Sequence, residues 1–146
     1  MQRKCISKKS KGTAIQISTG APSSLNVSKK ISLWKYGEDL AAKMLIEHGY
    51  ELVRINYRFD RAEIDLIFKN DETRTLVFAE VKTRSSKFFG EPEESISYGK
   101  TRQIIKAAQG FLMEHEMFDD YEKRFDVIAI FKKGKQENIN HIINAF

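Results

Sequence analysis

The chain has 146 residues, 31% of them charged and 41% hydrophobic, with a formal net charge of +5. That length suits one domain with a modest core, and a single cysteine, Cys5, excludes an intramolecular disulfide and a cysteine zinc cage. The lone cysteine fits a reducing, cytoplasmic setting, and no apolar run approaches the ~20 residues that span a bilayer, so no membrane partner is expected.

The charge is unevenly spread. Residues 1–30 hold seven basic residues and no acid; the remainder has the other 18 of the 25 basic residues against all 20 acids, a net of −2. Net charge alone therefore does not argue for nucleic acid. The segment 1–30 is rich in Ser, Lys, Thr and Gly and lacks periodicity, which reads as a flexible basic tail before a domain at 31–146. A loose hold on a phosphate backbone and an acid-poor presequence are alternatives for the tail.

From Ile31 the apolar residues Leu33, Leu40, Ala41, Met44 and Leu45 recur at helical spacing, and Gly49 supplies a stop. Glu38 lies on the shoulder of that stripe. Tyr50–Tyr57 reads as a first strand, Glu63–Phe68 as a second and Leu76–Thr83 as a third, the last two joined as a hairpin. Ser85–Glu94 reads as a loop and Ile96–His115 as a long helix burying Ile104, Ala108, Phe111 and Leu112. Phe125–Phe131 is a further strand and Ile139–Ile143 a short edge strand. The order is αβββαβ(β), an α/β fold with a mixed sheet flanked by helices.

The hairpin carries the chemistry. Side chains alternate across a strand, so Glu63, Asp65 and Ile67 share one face, as do Leu76, Phe78, Glu80 and Lys82. A two-residue turn at Glu72-Thr73 sets Asp65 against Glu80 and Glu63 against Lys82. A four-residue turn at Asn70–Thr73 sets Glu63 against Glu80 instead. In either register three carboxylates and one lysine share a half-buried surface, where like charges repel. Protonating a carboxylate or binding a cation relieves that repulsion. Oxygen-only ligands select a hard ion such as Mg²⁺ or Mn²⁺, with Glu63 among the candidate ligands. Lys82 beside such an ion would position a water or hold a phosphate. The plainer alternative is an exposed Glu80–Lys82 pair with Asp65 as a solvated neighbour.

Six stretches together resemble the YraN family, uncharacterised protein family 0102: G-E-x-x-A at Gly37, "RINYR", "EIDLI", "FAEVKTR", "FG-x-P-E-x-S-I" and "RFDVIAI". The likeness covers about Leu33 to Ile130. It implies the restriction-endonuclease-like superfamily, with its PD-(D/E)xK site and an αβββαβ core similar to that of archaeal Holliday-junction resolvases. By that resemblance Asp65, Glu80 and the Val81 carbonyl would bind metal, Lys82 would be the catalytic lysine, and Glu38 would be the helix carboxylate reaching the metal. Lys100 matches the family's lysine entering the second long helix. Ala62 departs from the glycine usual before E-I-D, which removes no ligand.

The function expected from this is a Mg²⁺- or Mn²⁺-dependent nuclease hydrolysing phosphodiester bonds, structure-selective on DNA by resemblance. The alternative is a nucleic-acid-binding or protein-interaction module without turnover. Lys100, Arg84, Lys87 and Arg102 are candidate phosphate contacts, and Phe88 and Phe89 candidate stacking groups. A two-fold junction substrate would favour a homodimer. His48, His115 and His141 show no ligand spacing and read as solvent or packing residues.

Overall fold

The computed structural model describes residues 36–84 and 96–146, apart from the side chain of Arg84. The basic tail, the start of the first helix and the loop with Lys87, Phe88 and Phe89 lie outside them. The described elements are α1 (Tyr36–Glu47), β1 (Glu51–Phe59), β2 (Ala62–Asn70), β3 (Thr75–Arg84), α2 (Tyr98–Glu114), a 3₁₀ turn (Glu116–Phe118), β4 (Glu122–Lys133) and β5 (Gln136–Ile142). The five strands form one mixed sheet in chain order, with β3 and β4 parallel and the other neighbours antiparallel. Each helix covers one face. This is the α/β architecture expected, consistent with a restriction-endonuclease-like core. No helix among the described residues is long and apolar enough to cross a membrane.

α1 buries Glu38, Ala41, Ala42 and Leu45. That is i, i+3, i+4, i+7 spacing, one helical face. The alanines and Leu45 pack with Leu66, Phe68, Val77, Ala79, Ile128 and Ile130. Glu38 continues the same stripe at its N-terminal end, inside it rather than on its shoulder. Gly37 has a packing reason: a Cβ there would lie 1.9 Å from Thr83 Oγ1, so glycine lets α1 approach the end of β3 without displacing that side chain. α2 packs Ile104, Ala107, Ala108 and Phe111 on the opposite face, against Ile64, Ile67, Leu76 and Phe78. At its C-terminal half Gly110 lies against the Phe59 ring, where a Cβ would come within 2.2 Å.

The β2–β3 hairpin selects between the two registers. Asn70 pairs with Thr75 and Leu66 with Ala79, so Asp65 comes next, facing Glu80. The turn is nonetheless four residues, Asp71–Arg74, rather than two. Asn70 fixes it: its Oδ1 accepts the N–H of Glu72 (3.0 Å) and of Thr73 (3.1 Å), an Asx turn that closes the loop locally. The register with Glu63 against Glu80 is excluded.

Strict alternation along β2 fails at one point. Ile64 packs with Ile67 on the α2 side, while Leu66, between them, packs on the α1 side with Phe68. The neighbouring strand has the matching defect. Tyr57 packs on the α2 side and Ile55 on the other, and Asn56 between them has φ 43°. Asn tolerates the left-handed region better than most residues. The sheet is therefore kinked at Asn56 and Asp65.

Candidate metal and nucleic-acid site

Beyond that kink the sheet forks. β2 stays with β1 through Tyr57–Ile64, Arg58–Glu63 and Phe59–Ala62, whereas its pairing with β3 stops at Leu66–Ala79. β3 instead stays with β4 to Arg84–Phe131. Ladder hydrogen bonds are lost in the fork, and one is replaced by a side chain: the Val81 N–H donates to Asp65 Oδ2 at 2.8 Å. The N–H and C=O of one strand residue point to the same side, so the Val81 carbonyl also faces the opening.

The fork encloses a cavity of about 700 Å³. Its walls are Asn56, Arg58, Glu63 and Asp65 from β1 and β2, and Glu80, Val81, Lys82 and Thr83 from β3. Glu38 of α1 and Lys100 of α2 complete it. The helices lie on opposite faces, yet both reach one cavity because the sheet is open there. The site residues Glu38, Glu63, Asp65, Glu80, Val81, Lys82 and Lys100 are thus brought together. Asn56, Arg58 and Thr83 were missed as site residues, though each sits inside a stretch that carries the family likeness.

Glu80 is only 4% exposed. Lys82 Nζ lies 3.1 Å from its Oε1 and Lys100 Nζ 3.2 Å from its Oε2. The Lys100 contact is an ion pair without hydrogen-bond angles, so Oε2 has no hydrogen bond. Glu63 pairs with Arg58 at 3.2 Å at the more exposed rim. Asp65 is the stressed group. Its pKa is raised from 3.8 to about 7, first by burial and then by the neighbouring Glu80, with Glu38 adding to the rise and the Val81 N–H and Lys100 opposing it.

The donors fit a hard divalent ion. They are oxygens only, two are carboxylates held together at a cost, and a cation removes that cost. No three His, Cys, Asp or Glu side chains converge tightly enough to hold an ion by themselves among the described residues. Asp65 and Glu80 would thus share an ion with the Val81 carbonyl, water and phosphate, in keeping with the one or two carboxylates typical of Mg²⁺.

The remaining candidates sit elsewhere. Arg102 lines a separate depression with Arg61, Gln103 and Lys106, its guanidinium 5.9 Å from the Tyr98 ring centroid. Lys87 and the Arg84 side chain lie outside the described residues. His48 and His115 place Nδ1 against the carbonyls of Met44 and Phe111, as packing residues do. His141 does more: its Nε2 lies 2.8 Å from Asp126 Oδ2. Asp126 is fully buried on β4. It also accepts from Arg124 and from the Asn144 N–H. Burial alone would raise its pKa, but the His141 and Arg124 bonds outweigh that and hold it low. Arg124, Asp126 and His141 thus form a largely buried structural triad.

Fold and fork define an α/β protein with a mixed five-stranded sheet, consistent with a restriction-endonuclease-like core, and a carboxylate–lysine cavity at a strand divergence. The comparisons with known proteins narrow this. The chain belongs to uncharacterised protein family UPF0102, whose model matches residues 37–130. It is 47% identical over 114 residues to a UPF0102 protein of Caldicellulosiruptor bescii, spanning 77% of this chain and 94% of that protein. It is 42% identical over 114 residues to one of Christiangramia forsetii, spanning 78% and 92%. A relative from Natranaerobius thermophilus is 45% identical over 111 residues, 75% and 92%.

Proposed function

We propose that the protein is a Mg²⁺- or Mn²⁺-dependent nuclease that hydrolyses phosphodiester bonds in nucleic acid, with branched or otherwise structured DNA as the favoured substrate class. The observation that carries this is the close placement of Asp65 and Glu80 in the fork of the sheet, beside Lys82 and open to a cavity. Folding does not require two carboxylates there.

A bound divalent ion supplies Lewis-acid polarisation of a phosphate and acidifies a water. The chain's own groups do the rest. Asp65 and Glu80 fix where positive charge sits, with Glu38 of α1 adding negative charge to the same cavity. Lys82 holds a proton-rich ammonium at the cavity wall, where it orients a water and meets the charge that develops on phosphate oxygens. Arg58 and Lys100 line the walls as cations for the flanking backbone.

A second reading, a nucleic-acid-binding or protein-interaction module without turnover, is favoured by the lysines on Glu80, which partly neutralise the site on their own. One experiment separates the two. The purified protein is incubated with single-stranded, duplex and branched DNA and RNA in Mg²⁺, Mn²⁺ or EDTA. Cleavage that requires the metal and is lost in Asp65→Asn and Glu80→Gln supports the nuclease. Binding with a steep salt dependence and no cleavage supports the module.

A further inference from the structure

We infer that Lys100 is a displaceable counter-ion, which holds Glu80 until a divalent cation takes its place and then turns to the phosphate backbone. The inference rests on the metal-dependent reading above and assigns Lys100 a positioning role within it.

Glu80 is nearly inaccessible and each of its oxygens faces a lysine, at 3.1 and 3.2 Å. The two lysines are not equivalent. Lys82 follows Glu80 by two residues on the same strand and cannot move far from it. Lys100 arrives from a separate element, in the first turn of α2, where the Ser97 Oγ accepts its backbone N–H. That is an unusual place for a lysine. The N-terminal turn of a helix favours negative charge, and α2 has no acidic residue there. Lys100 gains nothing from its own helix, and its side chain reaches to Glu80 instead.

A divalent ion on Glu80 meets that ammonium as a like charge at one oxygen. Lys100 is the group that can leave, since it sits on α2 rather than on the strand that carries Glu80, and its half-exposed side chain runs on a flexible stem. Released, its Nζ stays in the cavity that also holds Arg58 and Lys82, among groups suited to a phosphate. A thermodynamic cycle fixes the consequence. Whatever Lys100 contributes to the metal-free fold is lost when the ion enters, so removing its charge weakens the metal-free protein and tightens metal binding together. A lysine without bearing on the metal gives the first effect without the second, and one that stays on Glu80 gives both but leaves nucleic-acid affinity with the ion bound unchanged.

The test compares wild type, Lys100→Gln, Lys100→Arg and Asp65→Asn by Mn²⁺ calorimetry without nucleic acid, and by thermal melting in EDTA. Lys100→Gln is expected to melt lower in EDTA and to bind Mn²⁺ more tightly, on the order of tenfold for removal of one nearby charge from a partly hydrated site. Lys100→Arg keeps the charge and should sit near wild type in both. On a nucleic acid with a non-hydrolysable backbone, Lys100→Gln should bind more weakly, with the salt slope reduced by about one phosphate contact. If Lys100→Gln binds Mn²⁺ no tighter than wild type while Asp65→Asn abolishes binding, the exchange is wrong and the metal site stands. If wild type binds no Mn²⁺, or Asp65→Asn binds it as well as wild type, both fall.

Discussion

Replacing Asp65 by Asn should stabilise the metal-free protein at alkaline pH. The fold raises this carboxyl from 3.8 to about 7. The folded state therefore holds a proton that the unfolded chain releases, and stability falls as pH rises through that window. A rise of this size corresponds to roughly 4 kcal/mol of cost once both states are ionised. The site is open to water and its neighbours readjust when the charge goes, so the recoverable part is about 1–3 kcal/mol. Asn fits the same space. Its Oδ1 can keep the Val81 N–H, and its amide can donate toward Glu80. Urea unfolding in EDTA between pH 4 and 8.5 measures the effect. The two proteins should be alike near pH 4, with the variant ahead at pH 8. Mn²⁺ should reverse the order, because saturation at a thousand times Kd adds about 4.1 kcal/mol to wild type alone. A variant less stable than wild type at pH 8 in EDTA, or a difference that ignores pH, would refute the account of Asp65 as a strained carboxylate.

Three other outcomes follow from the same geometry. Lys82→Ala spares Asp65 and Glu80, so it should bind metal and nucleic acid but cleave ~10²–10³-fold more slowly, the usual loss for one electrostatic group of a site; single-turnover cleavage beside a filter-binding assay reads both. Glu38→Gln should weaken Mn²⁺ affinity with little change in melting in EDTA, and wild-type affinity would confine Glu38 to packing of α1. Asp126→Asn should cost about 3–5 kcal/mol by leaving Arg124 buried without its charge partner. Because the native Asp126 is held low, its contribution is present above the unfolded value near 4 and vanishes as pH falls through the folded one. The wild-type advantage over Asp126→Asn should therefore shrink in acid unfolding curves.

Much of this was legible in the sequence because strand and helix periods are local. Alternation in β3 placed Glu80 and Lys82 on one face, and both stand at the site. The i, i+4 spacing of Lys100 and Ile104 turned Lys100 inward. The hairpin register was legible only as two options, because the choice depends on Asn70 folding its side chain over the turn. The fork was not legible, since pairing of one strand with two neighbours is a non-local property. Its one sequence trace is Asn56, an Asn in a run of β-formers, which marks a residue tolerant of positive φ. His141 was misjudged for a similar reason. It meets Asp126 only through the β4–β5 pairing, in which Ile128 stands opposite His141.

The fork also bears on why charge is kept there. Where a ladder ends, a side chain must satisfy the backbone groups it leaves, and Asp65 does so for Val81. Asn or Ser would meet that need without the cost of a buried anion. Glu80 compounds the cost: it faces Asp65, is almost fully buried, and draws lysines from β3 and α2 to hold it. Removing all of these charges together, with apolar or neutral groups of similar size, would be expected to leave the fold no weaker. A chain that keeps two acids and two lysines around an open cavity, at the one place where both helices can reach through the sheet, holds charge that folding does not need. The proposed binding of a cation and a phosphate would use every one of those groups.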